Sequence, residues 1–242
     1  MTELVYQLDS YQKEFNAQVT NTNEDLHAIQ LDRTCFYPGG GGQPFDKGSL
    51  SSSETSLGFM RARTVAGQHW HLLDPQKQLP VIGTEVHGSI DWEHRYALMR
   101  THTAMHILCG VIFRDYGAKV TGGDMNPLEA RMDFEFESMS KELVSVIEEA
   151  VNKEIQLNHP IRVQILPREE AFQIPDLIRT KINLLPEHIT EIRTVEIVGL
   201  DLQADGGTHV TNTGEVGHIF ITDYKSKGKI NKRIYVSVGK KQ

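Results

Sequence analysis

Cysteine is nearly absent from this sequence: 242 residues contain only Cys35 and Cys109. Two distant thiols cannot build a disulfide framework for a chain of this length, which points to a reducing, cytoplasmic setting. No apolar run is long enough to span a bilayer. The opening MTELVYQLDSYQKEF also lacks the basic region and apolar stretch of a signal peptide. Positive charge is in deficit. With a formal net charge of −7 there is no protein-wide positive field, so any nucleic-acid surface must be local. Nothing in the sequence marks a membrane segment or an obligatory protein partner. What remains is ordinary for a soluble globular chain, with 39% apolar and 24% charged residues, and the length suits one large domain or two smaller ones.

The expected fold class is α+β, in two parts. Residues 1–90 read as a small β-barrel: LVYQL, HAIQLDRTCFY, GFMRARTVAG, QHWHLLD and TEVHGSID are short strands separated by turn chemistry, with SSSETS as an exposed loop. Residues 91–242 read as an α+β domain with helices packed on an antiparallel sheet. A helix is expected from Asp91 to Gly117, with Leu98, Met105, Leu108 and Ile112 near helical spacing. A second follows Ser140 as N-cap, with a stripe of Leu143, Val146, Ile147, Ala150, Val151 and Ile155, bounded by Pro160. IRVQILP is a strand, REEAFQIPDLI a short helix, TEIRTVEIVGLDL strand-rich, and VGHIFITDYKSKGKINKRIYVSVG a hairpin.

The chemistry concentrates in two pairs. His102 and His106 lie four apart on the first helix, so both imidazoles leave one face and can hold one zinc ion. Asp205 and His209, in DGGTH, add a carboxylate and a third imidazole. A turn after a strand accounts for Asp205 and the glycines but leaves His209 unexplained. Cys109 follows His106 by three, yet along the helix it lies roughly 10 Å from His102. One ion with bonds of about 2.0–2.3 Å cannot serve all three side chains, so Cys109 reads as a core thiol.

His102-Thr-Ala-Met-His106 with Asp205-Gly-Gly-Thr-His209 resembles the zinc motif pair of the alanyl-tRNA synthetase editing domain. The free-standing AlaX proteins are the nearest match. The block from Asp32 to Asp46, DRTCFYPGGGGQPFD, is similar to the glycine-rich motif of the longer AlaX proteins, which carry an N-terminal β-barrel. The resemblance covers nearly the whole chain. It implies hydrolysis of the ester of mischarged Ser-tRNA(Ala), and of Gly-tRNA(Ala), by a deacylase holding one Zn2+ at His102, His106, Asp205 and His209. The synthetase domain usually has Cys where this chain has Asp205. Zinc would either activate a water or anchor the substrate. Alternative readings are a deacylase for another tRNA such as Ser-tRNA(Thr), or a non-catalytic, zinc-stabilised RNA-binding module.

An editing site must read a hydroxyl, because a pocket shaped for alanine rejects serine only about a hundredfold. Thr34 is the first candidate, with Thr103 and Thr208 as alternatives; each can equally be structural. Gly41, Gly42 and Gln43 are expected to lie over the site, where amide hydrogens and Gln43 position ester or water. Thr34 and Gln43 are therefore the candidate catalytic residues. Partner RNA is expected at Lys225, Lys227, Lys229, Lys232 and Arg233, in a C-terminal stretch with Lys240 and Lys241 and no acidic residue. Lysines that discourage edge pairing of a hairpin are the plainer explanation of the same pattern.

Overall fold

The computed structural model describes residues 2–53, 55–181, 185 and 189–239. The chain forms two compact units: Met1–Gly40 with Pro44–Tyr96, and Gly41–Gln43 with Ala97–Gln242. The tripeptide Gly41–Gln43 thus belongs with the second unit, although its neighbours on both sides belong to the first.

In the first unit the strands are β1 (Glu3–Leu4), β2 (Glu14–Asn23), β3 (Ala28–Leu31), β4 (Arg33–Thr34), β5 (Gly48–Ser52), β6 (Thr55–Ser56), β7 (Phe59–Val65), β8 (Gln68–Leu73) and β9 (Glu85–Ile90). Seven form one antiparallel sheet in the order β6-β5-β9-β2-β3-β8-β7, while β1 and β4 pair in parallel. β2 alternates strictly: Phe15, Ala17 and Val19 point into the core and the residues between them face out. Gly88 lies opposite Phe15, whose ring fills the space a Cβ would need, at 2.3 Å. Two local expectations need correction. Val5–Gln7 is a 3-10 turn, so the first strand ends at Leu4. The serine-rich segment belongs to the short β5–β6 pairing, with Ser51 opposite Ser56.

A buried ion pair ties this unit together. Arg95 donates from Nε to Asp46 Oδ1 at 2.7 Å and from a second nitrogen to Asp46 Oδ2. It also donates to the carbonyls of Ser10 and Cys35, so each guanidinium nitrogen has an acceptor. Both side chains are fully buried. Removing one partner of such a pair leaves an uncompensated charge in the interior. Asp46→Ala is expected to lose about 3–5 kcal/mol in urea unfolding; a loss under about 1 kcal/mol, the range of an exposed pair, would refute that structural role.

The second unit contains α1 (Trp92–Tyr116), which begins in the first, then β10 (Val120–Asn126), β11 (Glu129–Glu135), α2 (Lys141–Gln156), β12 (Ile161–Pro167), α3 (Arg168–Ala171), β13 (Glu191–Ile197), β14 (Asp201–Ala204), β15 (Ile219–Ser226) and β16 (Asn231–Val238). The sheets run β10-β11-β16-β15 and β12-β13-β14, all pairs antiparallel. α1 is buried on every side from Thr101 to Ile112, which marks a helix enclosed by the core. Gly117, at φ +65°, ends it in the left-handed conformation that glycine tolerates.

α2 starts at its N-cap, where Ser140 Oγ accepts from the Leu143 amide. Its buried face is Val144, Ile147, Val151 and Ile155; Val146 is 54% exposed, so the stripe is rotated from the one expected. Polar side chains complete the packing. Asn152 donates to the Ile219 carbonyl and accepts from the Ile219 amide, at 2.8 and 2.9 Å, clamping β15 to the helix. The expected helix over REEAFQIPDLI is a single turn, Arg168–Ala171. No helix among the described residues is long and apolar enough to cross a membrane.

Candidate metal centre and substrate cavity

His102 and His106 leave one face of α1 with ring centroids 5.1 Å apart. β14 delivers the other half. Asp205 follows its last residue, and Asp205 Oδ2 accepts from the Gly207 amide at 2.7 Å, turning the chain so that His209 comes back toward α1. DGGTH is a turn that also contributes to the candidate group, because the Asp205 carboxylate takes part in both. The His209 ring centroid lies 4.3 Å from that of His102 and 4.7 Å from that of His106. Asp205 Oδ2 is 3.0 Å from His209 Nε2, and Oδ1 is 3.5 Å from His102 Nε2.

The four residues offer one atom each, all within 4.8 Å of one another. Tetrahedral zinc with bonds of about 2.0–2.1 Å needs ligand atoms roughly 3.4 Å apart. The donor set, three imidazoles and one carboxylate, suits zinc. The second nitrogen of every imidazole faces a polar group. His102 Nδ1 is 2.9 Å from Gln43 Oε1, and His209 Nδ1 is 3.1 Å from Thr103 Oγ1. His106 Nδ1 is 3.3 Å from Asp201 Oδ2, an ion-pair distance at angles short of a hydrogen bond. Each Nε2 is thereby left for the centre of the group. Outer contacts of this type orient metal-binding histidines.

Burial and neighbouring charge tune these groups. Desolvation pulls His102 down to about 4, against the attraction of Asp205. Desolvation and the neighbouring His102 likewise hold His209 well below its usual value. Both are neutral near pH 7, the form that ligates a metal. For His106 burial also acts downward, but Asp201 and Asp205 together outweigh it and raise the ring. Burial pushes Asp205 upward, yet the three imidazoles keep it well below the ordinary carboxylate range.

The group lies beside a cavity of about 800 Å3 whose lining includes His102, His106, Asp205, Gly41 and Gly42. That volume is within the usual range for ligand sites. Gln43, Thr103 and Thr208 are buried, with their polar atoms turned to one another or to the histidines. Thr34 is in the first unit, where its hydroxyl shares a 2.8 Å hydrogen bond with His71 Nε2 and accepts from the Phe36 amide. Cys109 is a buried free thiol that lines the cavity, and desolvation pushes its pKa up.

Asp201, which faces His106 of the candidate group, was overlooked by the sequence reading. It is buried and takes a 2.7 Å bond from Gln203 Nε2, with Arg179 Nε at 3.3 Å. Its signal was available: Asp201 and Gln203 share one face of β14, and Asp205 follows the strand at the same two-residue spacing. The basic residues divide. Lys225, Lys227 and Lys229 are exposed, and Lys225 is 3.1 Å from Asp223. Lys232 is buried and donates to the carbonyls of Gly228 and Lys229, while Arg233 makes two bonds to Asp133 at 2.7 and 2.8 Å. Lys240 and Lys241 lie outside the described residues.

Fold and site define a protein with a candidate metal centre set beside a substrate-sized cavity. Two family models match the sequence. One, described as the threonyl and alanyl tRNA synthetase second additional domain, matches residues 192–235. The other, tRNA synthetases class II (A), matches residues 2–94. Alanyl-tRNA editing protein AlaX-M of Saccharolobus solfataricus is 40% identical over 98% of this chain and 99% of its own length. The AlaX-M of Methanosarcina acetivorans is 37% identical over 98% and 99%. Alanine–tRNA ligase of Ignicoccus hospitalis is 38% identical over 91% of this chain, which corresponds to 24% of the ligase. The chain belongs to the AlaX-M family of alanyl-tRNA editing proteins.

Proposed function

We propose that this protein, a hydrolase of mischarged tRNA by its family, acts in trans in the cytoplasm on Ser-tRNA(Ala) and, as a second substrate, Gly-tRNA(Ala). The observation that carries this reading is the imidazole–carboxylate group beside the cavity, in a chain that matches editing proteins from end to end. His102, His106, His209 and Asp205 would hold one zinc ion. Zinc bound there supplies an electrophile for the ester carbonyl or for water.

The chain's own residues supply the remainder. The glycines at 41 and 42 let a backbone line the cavity without side chains in the way of an ester. Thr103 and Thr208 support the histidines and the glycine segment, and we assign Thr34 to the core of the first unit, because its hydroxyl is already engaged there. Exposed Lys227 and Lys229, with Lys225, offer phosphate contacts. We also infer that the seven-stranded sheet curls toward a barrel. Residues of β2, β3, β5, β7, β8 and β9 share a single core cluster, which a flat sheet could not achieve on one face.

Deacylation assays with zinc-loaded protein test the reading. Serine is expected to be released from Ser-tRNA(Ala), while Ala-tRNA(Ala) and Ser-tRNA(Thr) are spared. His102→Ala and His209→Ala are expected to drop to the uncatalysed rate. Zinc-loaded protein that is inert on Ser-tRNA(Ala) but still binds tRNA would instead identify a binding module. Preference for Ser-tRNA(Thr) would reassign the substrate.

A further inference from the structure

Gln43 comes from the glycine-rich segment, 59 residues before His102 in sequence, yet its side chain is buried against that ring. The amide's orientation follows from its neighbours. The Thr208 backbone amide can only donate, and the atom it meets at 3.0 Å is Gln43 Oε1. The other amide atom, Nε2, donates to Thr208 Oγ1 at 2.9 Å. Turning the amide over would set two donors against each other at Thr208.

The same Oε1 lies 2.9 Å from His102 Nδ1. An amide oxygen has no hydrogen to give, so Nδ1 must carry the proton and donate. Neutral imidazole has one N–H, and the lone pair is then left on Nε2, the atom facing Asp205 Oδ1 at 3.5 Å. The other two histidines are not held by a neutral acceptor in this way. His209 Nδ1 meets a threonine hydroxyl, which donates or accepts, and His106 Nδ1 faces a carboxylate. The segment is itself anchored to β10, where the Met125 amide donates to the Gly42 carbonyl at 3.3 Å. A Cβ on Gly42 would approach the Gly123 carbonyl oxygen at 3.2 Å.

We propose that Gln43 is a positioning residue that fixes the Nδ1–H tautomer of His102 and so presents its Nε2 lone pair to the metal. This rests on the metal reading of the four-residue group. The glycine-rich segment then acts on the centre from behind, through His102.

Gln43→Leu removes the acceptor and keeps the bulk, whereas Gln43→Glu keeps an oxygen for the His102 and Thr208 N–H groups, and the Thr208 hydroxyl can donate to the other oxygen. Zinc affinity of the full-length protein, measured by chelator competition, is expected to fall about 10–100-fold in Gln43→Leu, the usual effect of losing an outer partner. In Gln43→Glu it is expected to stay within about threefold of wild type. Nitrogen-15 histidine spectra of zinc-free wild-type protein are expected to show His102 protonated at Nδ1; this readout stands even if Gln43→Leu fails to fold. Protonation at Nε2 would overturn the proposal. So would wild-type zinc affinity in Gln43→Leu with only KM raised, which would place Gln43 on the substrate. Equal losses in the Leu and Glu variants would make its role one of amide shape. Wild-type protein that binds no zinc would sink the functional reading instead, and the histidine spectrum would still decide the tautomer.

Discussion

Gly207→Ala is expected to abolish zinc binding and deacylation together, although no ligand is changed. A Cβ at this position would lie 2.3 Å from His102 Cε1, 2.4 Å from His102 Nδ1 and 2.5 Å from Gln43 Oε1. It would sit in the hydrogen bond that holds the ring. Withdrawal would break the 2.9 Å hydrogen bond between the two buried side chains, His102 Nδ1 and Gln43 Oε1. Moving the turn is no easier, because the Gly207 amide is bonded to Asp205 Oδ2 and the Thr208 amide to Gln43. Displacing His102 removes a ligand from the centre, so zinc affinity should fall by more than about a hundredfold, beyond the range of a single outer contact. Gly206→Ala is the control. Nothing lies within 4 Å of its Cβ, and it should keep wild-type affinity. Chelator competition and Ser-tRNA(Ala) turnover check both variants. Wild-type zinc affinity in Gly207→Ala would show that the turn yields.

The contrast between these neighbouring glycines shows what the sequence can and cannot convey. The four candidate ligands were legible because few residue types bind zinc, and a spacing of four on a helix puts two of them on one face. Which glycine of the pair is indispensable was not legible. That depends on a ring contributed by α1 and an amide from the glycine-rich segment, both remote in sequence. Gln43 stood out as a motif residue, but its target is set by tertiary contact. Among the elements, IRVQILP and the α2 cap were readable from local chemistry. β2 was passed over despite the alternation of Phe15, Ala17 and Val19, because Asn and Gln between them resemble loop composition. β10 and β11 were left unassigned: Gly122, Gly123 and Asp124 carry little strand propensity, while the structure pairs them with Asp133, Met132 and Arg131. Val146 was placed on the wrong face of α2 since an apolar residue near the helical period looks buried until its neighbours are known.

Asp205→Cys is expected to keep zinc bound, whereas Asp205→Ala is expected to lose it. The carboxylate lies 3.0 Å from His209 Nε2 and 3.5 Å from His102 Nε2, close enough to complete a tetrahedron with the three rings. A thiolate carries the same −1 charge and binds zinc at about 2.3 Å, so the charge of the centre is preserved and soft sulfur replaces hard oxygen. Alanine leaves the metal only neutral imidazoles. The cysteine also gives up the bond to the Gly207 amide and the 3.7 Å contact with Arg193, while the Arg193 bond to the Asp205 backbone carbonyl at 2.9 Å survives. Affinity for Asp205→Cys should therefore sit within about tenfold of wild type, with Asp205→Ala down by about a hundredfold or more. Cobalt substitution makes ligation visible, since a thiolate–cobalt charge-transfer band should appear in Asp205→Cys alone. If Asp205→Ala binds zinc as wild type does but no longer turns over, Asp205 stands outside the metal shell. Three histidines then leave the fourth position open, and the carboxylate is placed to accept a proton or orient water there. If affinity is lost, Asp205 would hold zinc together with the three histidines, and the carboxylate would be committed to the metal and not to proton transfer.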